Sequence, residues 1–111
     1  MRLTTATLLL FVSALLEAGG DAIVRTGLHS TSSLRRILLF LSGGLVLFAY
    51  GYLVNRPPWD FGKLLGVYVV FFFVVAQAIG LVVFGQALSR GVWIGGVLIV
   101  AGGVIVAVSS R

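Results

Sequence analysis

Four apolar runs dominate this chain of 111 residues and leave it few ways to fold. They extend from about Leu3 to Val24, Ile37 to Val54, Leu64 to Phe84 and Val92 to Val108. An α-helix rises 1.5 Å per residue, so about 20 residues cross the roughly 30 Å of hydrocarbon in a bilayer. Inside that layer no water is available to satisfy backbone groups, which restricts spanning segments to helices and closed barrels. The runs are continuously apolar and lack the alternation of barrel strands. The expected fold is an all-α membrane protein with four transmembrane helices in a single domain. Composition agrees: 59% of residues are hydrophobic and 10% charged, against about half and about a quarter in water-soluble domains. With a mean hydropathy of +1.16, the chain has too little polar surface to coat a soluble globule.

Short polar stretches punctuate the runs. GLHSTSS (27–33) is expected to end the first helix at Gly27 and cap the second with a serine or threonine. The turn Asn55-Arg56-Pro57-Pro58-Trp59-Asp60 is fixed by two prolines, which remove backbone donors and disfavour helix before them. GQALSR (85–90) is the third connection. Tyr50, Tyr52 and Trp59 fit an aromatic belt at the membrane boundary. The start of the first run, Arg2 followed by Leu8 to Leu16, has the outline of a secretory signal. Glu17 stands where small residues should mark cleavage, so the run is read as a retained span.

Charge carries two messages. The formal net charge is +5, but its basic residues are scattered, with Arg35-Arg36 the one adjacent pair. That pattern is one of membrane-flanking charges and excludes a nucleic-acid surface. Arg2, Arg56, Lys63 and Arg111 fall on the side of the termini and second loop, and Arg25, Arg35, Arg36 and Arg90 on the other. The tie gives the positive-inside rule nothing to act on, which points to insertion in both orientations and to an antiparallel homodimer. With no cysteine, disulfides, thiolate metal sites and cysteine nucleophiles are excluded. No catalytic, phosphate-binding or metal motif is present. The expectation is a protein that is not an enzyme and uses no cofactor and no metal, with His29 a solvated loop residue.

Two of three acidic residues, Glu17 and Asp21, lie within the first apolar run. A carboxylate at membrane depth costs several kcal/mol unless it faces protein or water, so it is a functional candidate by default. Glu17, Asp21 and Arg25 are spaced i, i+4, i+8 on one helix face, near Ser13 and Gly20. Asp21 and Arg25 have good ion-pair spacing and are expected to neutralise each other near the boundary. Glu17 is then the deeper carboxyl, able to hold a proton or an organic cation and to exchange one for the other. Tyr68 in the third run offers a hydroxyl and a π-face, and Gln77 is that run's other polar residue. In the fourth run Gly95 with Gly102, and Gly96 with Gly103, repeat at two helical turns, which makes a strip for close helix approach, within the chain or between copies. Gly44 and Gly51 repeat that spacing in the second.

These residues carry a resemblance. LLEAGGD around Glu17 and the stretch FGQALSRGVWIGGVLIVAGGVIVAVSSR resemble the small multidrug resistance family of the drug/metabolite transporter superfamily. LEAGG and FGKLLGVYV are also similar to a sister group of small four-helix proteins there. The resemblance implies an antiparallel homodimer with paired fourth helices, and two first-helix glutamates at a shared site that exchanges protons for aromatic or guanidinium cations. Glu17 matches the essential acidic position, and Tyr68 falls where exporters carry a tryptophan. The family's Trp-x-Gly-x-Gly is here Tyr68-Val69-Val70-Phe71-Phe72, without either glycine, and Asp21 with Arg25 is a further departure. The resulting expectation is a proton-coupled antiporter of small cationic or hydrophobic compounds in a bacterial or archaeal inner membrane. Its site residues are Glu17, Tyr68, Ser13 and Asp21, with Gly95, Gly96, Gly102 and Gly103 at the dimer seam. Two alternatives are a non-transporting scaffold or accessory subunit of the same fold, and a half-transporter that needs a second chain, against which the balanced charges argue.

Overall fold

The computed structural model describes residues 1–109. Four helices follow one another: α1 (Leu3–Leu28), α2 (Ser33–Val54), α3 (Phe61–Val82) and α4 (Arg90–Val108). Each is long and apolar enough to cross a membrane, and no strand forms among the described residues. The helices extend past the apolar runs because polar caps set their ends. Ser32 accepts a hydrogen bond from the Arg35 amide at 3.4 Å, and Ser89 from that of Val92 at 3.2 Å. Helix α1 runs a turn beyond Val24, so Arg25 lies in its last turn and Gly27 inside it. At the end of α2 the Asn55 side chain donates to the Gly51 carbonyl at 2.8 Å. The turn out of α3 passes through Gly85 at φ +64°, a left-handed conformation that favours glycine, and the Gln86 amide returns to the Gly80 carbonyl at 3.0 Å.

The lateral order is α2–α1–α3–α4, with α4 packed chiefly on α3. The result is an open slab of 50 × 34 × 20 Å rather than a closed bundle. Lipid tails are as apolar as leucine, so association rests on packing, and small residues that let backbones approach are favoured. Between α1 and α2 the contact is Gly20 against Gly43. A Cβ at Gly20 would stand 2.8 Å from Leu47, and one at Gly43 would stand 2.7 Å from Val24. Gly27 extends the seam: a Cβ there would meet the Phe40 ring at 2.9 Å. Between α3 and α4 the contact alternates large and small in antiparallel register. Gly66 faces Val106, Val70 fills the space over Gly103, and Phe73 that over Gly96.

Helix α1 meets α3 through a stripe of short residues. Leu10, Ala14 and Ala18 join Val54, Leu64, Tyr68 and Val75 in the core cluster, with Trp59 and Tyr50 packed on its margin. Trp59 thus folds inward from the proline turn, while Tyr52 stays outside under Arg56, as a boundary residue should. The outer surface is apolar: Phe48 and Val82 are 76% and 81% exposed, which suits contact with lipid. Finally, Lys63 Nζ reaches the Ser109 carbonyl at 3.2 Å, placing a cation at the negative end of the α4 dipole.

A carboxylate site formed by three helices

Glu17 lies near the middle of α1, between Ala14 and Ala18 of the buried stripe, and is half-buried. The flanking alanines let α3 come close enough for Tyr68 to donate its hydroxyl to Glu17 Oε1 at 2.8 Å. The ring of Tyr68 is buried and lies 5.6 Å from that of Tyr50 in a tilted pair, with that of Phe72 6.3 Å away. Tyr50 thus brings a second phenol ring from α2 to the side of Tyr68, without a direct hydrogen bond to the carboxylate. One carboxyl group is therefore bonded by a phenol from α3, whose ring is flanked by those of Tyr50 and Phe72. A hydrogen bond to a charged acceptor is among the stronger ones, and the same phenol can remain beside a protonated carboxyl. The arrangement can hold a proton or a cation without metal or nucleophile.

The two residues singled out beside Glu17 behave differently. Ser13 is fully buried, but its hydroxyl donates to the Leu9 carbonyl at 2.6 Å within its own helix. It takes the back-bonded state common for serine inside helices, so it packs beneath the site instead of offering a free group. Asp21 is exposed, one turn from Glu17, on a groove of about 240 Å³ between α1 and α3 that Ala18, Phe72, Ala76 and Phe84 also line. The expected Asp21–Arg25 pair does not form. The Arg25 guanidinium lies over the Phe84 ring, 5.4 Å from its centre, because the turn after α3 folds over the end of α1. Asp21 is thus a lining residue on the approach from that end, and Phe72 joins this groove to the aromatic wall of the site.

The fourth-helix glycines divide by register. Gly96 and Gly103 are in contact with Phe73 and Val70 of the same chain, which is the within-chain packing their spacing allows. Gly95 and Gly102 face outward, and a Cβ placed on either would have nothing within 4 Å. Gly44 and Gly51 are likewise open. Gln77 lines an apolar groove between α3 and α4, away from Glu17. Sequence reasoning missed Tyr50, which it placed in a boundary belt. The usable signal was its spacing of seven from Gly43, two turns along the face that meets α1.

The fold defines a small multi-pass integral membrane protein whose first span carries two carboxyl groups, Glu17 and Asp21. The chain belongs to the family described as "Uncharacterised BCR, YnfA/UPF0060 family", which matches residues 3–111. No curated protein and no solved structure matches it.

Proposed function

We propose that this protein is a small proton-coupled antiporter that exports small cationic or hydrophobic compounds across a bacterial or archaeal inner membrane. The observation that carries the reading is the Glu17 carboxyl at mid-span, held by the Tyr68 phenol, with the Tyr50 ring beside that phenol, instead of by a basic partner. A carboxyl held by a phenol and by no fixed cation keeps its charge available to a proton or a cationic cargo in turn. The likeness of LLEAGGD and the Phe84 to Arg111 stretch to the small multidrug resistance family supports the same reading. So does the open slab, which leaves the outward glycines Gly95 and Gly102 free for a second copy. In this reading two copies insert in opposite directions, consistent with the equal charges at the two ends, and bring two Glu17 carboxyls to one site.

The test is flux in liposomes under a pH gradient, with a panel of quaternary ammonium, guanidinium and aromatic cations, wild type beside Glu17→Gln. Wild type should move at least one class with proton counterflow, and Glu17→Gln should abolish it while the protein keeps its oligomeric state. Equal flux in both would remove Glu17 from the mechanism. The direct 2.8 Å bond from Tyr68 also favours a second reading, a non-transporting scaffold whose Glu17 only ties α1 to α3. An absence of flux across the panel, with Glu17→Gln destabilised, is the outcome that reading requires.

A further inference from the structure

At the end of the molecule where α1 finishes and α2 begins lies a polar pocket of about 660 Å³. Arg25, His29 and Arg35 line it, with Ser30, Thr31 and Gln86. Among the described residues, no carboxylate lines it. The three acids of the chain are Glu17, Asp21 and Asp60. Of these, Glu17 and Asp21 stand deeper on α1, and Asp60 belongs to the turn at the opposite end.

One of the pocket's guanidinium groups is also held in place by a contact that forms no ion pair. Arg25 passes by Asp21 and rests on the Phe84 ring at 5.4 Å, a contact that fixes a guanidinium without neutralising it. His29 Nδ1 stands 2.9 Å from the Arg25 carbonyl. A carbonyl only accepts, so Nδ1 carries the proton and Nε2 is the ring atom left over for other partners. The Ser32 hydroxyl already accepts from the Arg35 amide, so that amide is taken, and the recognition is by side chains. Two guanidinium groups, hydroxyls and a carboxamide around an acid-free pocket match a phosphate group, which guanidinium binds through paired N–H donors.

We infer that this pocket binds a phosphate-bearing anion at the membrane boundary, through Arg25 and Arg35. Helices α1 and α2 enter the membrane here and Phe84 floors the pocket, so both an anionic phospholipid headgroup and a free phosphate can reach it. This inference is independent of the transport reading, since Glu17 has no part in it.

The experiment uses the full chain purified in uncharged detergent. Native mass spectrometry would read the binding of short-chain phosphatidylglycerol beside phosphatidylcholine, and competition by inorganic phosphate. The expected result is preferential retention of phosphatidylglycerol, with affinity reduced about tenfold or more in Arg25→Gln/Arg35→Gln, in line with the loss of charge-assisted hydrogen bonds. Arg56→Gln, at the opposite end, should bind as wild type. Displacement by millimolar inorganic phosphate would assign the site to phosphate itself, and its failure to displace would assign it to the lipid. Should the double glutamine variant not fold, Phe84→Leu, which frees the Arg25 guanidinium, should weaken binding in the same direction. Equal binding of the two lipids together with no binding of inorganic phosphate would overturn the inference. So would unchanged binding in a folded Arg25→Gln/Arg35→Gln protein.

Discussion

Gly43 and Gly44 are neighbours in the middle of α2 and offer a matched test of the packing that positions the site. Replacing either by alanine gives the same gain in helix propensity, about 1 kcal/mol in water-soluble hosts. At Gly44 the new methyl meets nothing within 4 Å, so the gain should stand. At Gly43 it would sit 2.7 Å from Val24 Cγ2 and 3.2 Å from both Ile23 Cγ2 and the Gly20 carbonyl oxygen. Overpacking of this kind costs about 1–3 kcal/mol, so Gly43→Ala should be less stable than Gly44→Ala by about that amount. Reversible unfolding in mixed micelles of mild detergent and dodecyl sulfate, followed by circular dichroism, would measure the difference. Tyr50 lies two turns beyond Gly43 on α2, so the displaced helix should also draw its ring from that of Tyr68. The clash and the propensity gain act on adjacent residues of one helix, which cancels effects of host, lipid and detergent. Equal stabilities for the two alanine variants, or the reverse order, would refute the α1–α2 seam described above.

Other expectations follow from single contacts. Tyr68→Phe removes the hydroxyl on Glu17 Oε1 and keeps the ring stack. It should lower stability by about 1–3 kcal/mol in the same unfolding assay, and a loss near zero would argue against that bond. Gly103→Leu should perturb the single chain, because Val70 fills its space, whereas Gly102→Leu should leave folding intact and reduce chemical cross-linking between copies. Cross-linking unchanged by Gly102→Leu would take that outward strip away from any dimer contact. Gly85→Ala places a side chain at φ +64° and should cost about 1 kcal/mol, read as a lower unfolding midpoint.

The number, order and approximate ends of the helices were legible because bilayer thickness and backbone hydrogen bonding restrict the answer so tightly. Glu17 was legible for the same reason: a carboxyl in an apolar run has to face something. Rotation about each helix axis was not. Glycine doublets occur at 19–20, 43–44, 95–96 and 102–103, and in each one member packs inside the chain while the other points outward or meets nothing within 4 Å. Successive residues on a helix differ by about 100° in direction, so a doublet announces a close approach without saying which member makes it. In a soluble helix the polar face would settle the choice, but here the lipid-facing side is as apolar as the packed side. The seven-residue spacing of Gly44 and Gly51 shows the same ambiguity, since the close contact falls to Gly43. Tyr50 was read as a boundary aromatic because it stands near the end of its apolar run, and the rotation of α2 that turns it toward Tyr68 was not legible. The Asp21–Arg25 pair failed for a different reason: its spacing is local, while the Phe84 ring that captures Arg25 arrives from the far end of α3.

The departure at 68–72 from the exporter motif acquires a physical meaning in the packing of α3 on α4. Where the motif has glycines on the third helix, this chain has Val70 and Phe72, and the small residues stand across the interface on α4. Val70 fills the space over Gly103, and Phe73 that over Gly96. The approach of α3 to α4 is thus built from large residues on α3 and glycines on α4. Phe72 takes no part in those glycine contacts and lies 6.3 Å from Tyr68, ring to ring. The position that a glycine would occupy in the motif therefore carries an aromatic ring beside the phenol that holds Glu17. With the Tyr50 ring also 5.6 Å from Tyr68, the surroundings of Glu17 are rich in π-faces. Such walls favour flat or compact cations that can stack, since an aromatic face attracts charge most strongly at close range. In the transport reading, Phe72→Gly should therefore widen the range of cations carried without abolishing proton coupling, because it reshapes the wall and leaves the carboxyl and its phenol in place.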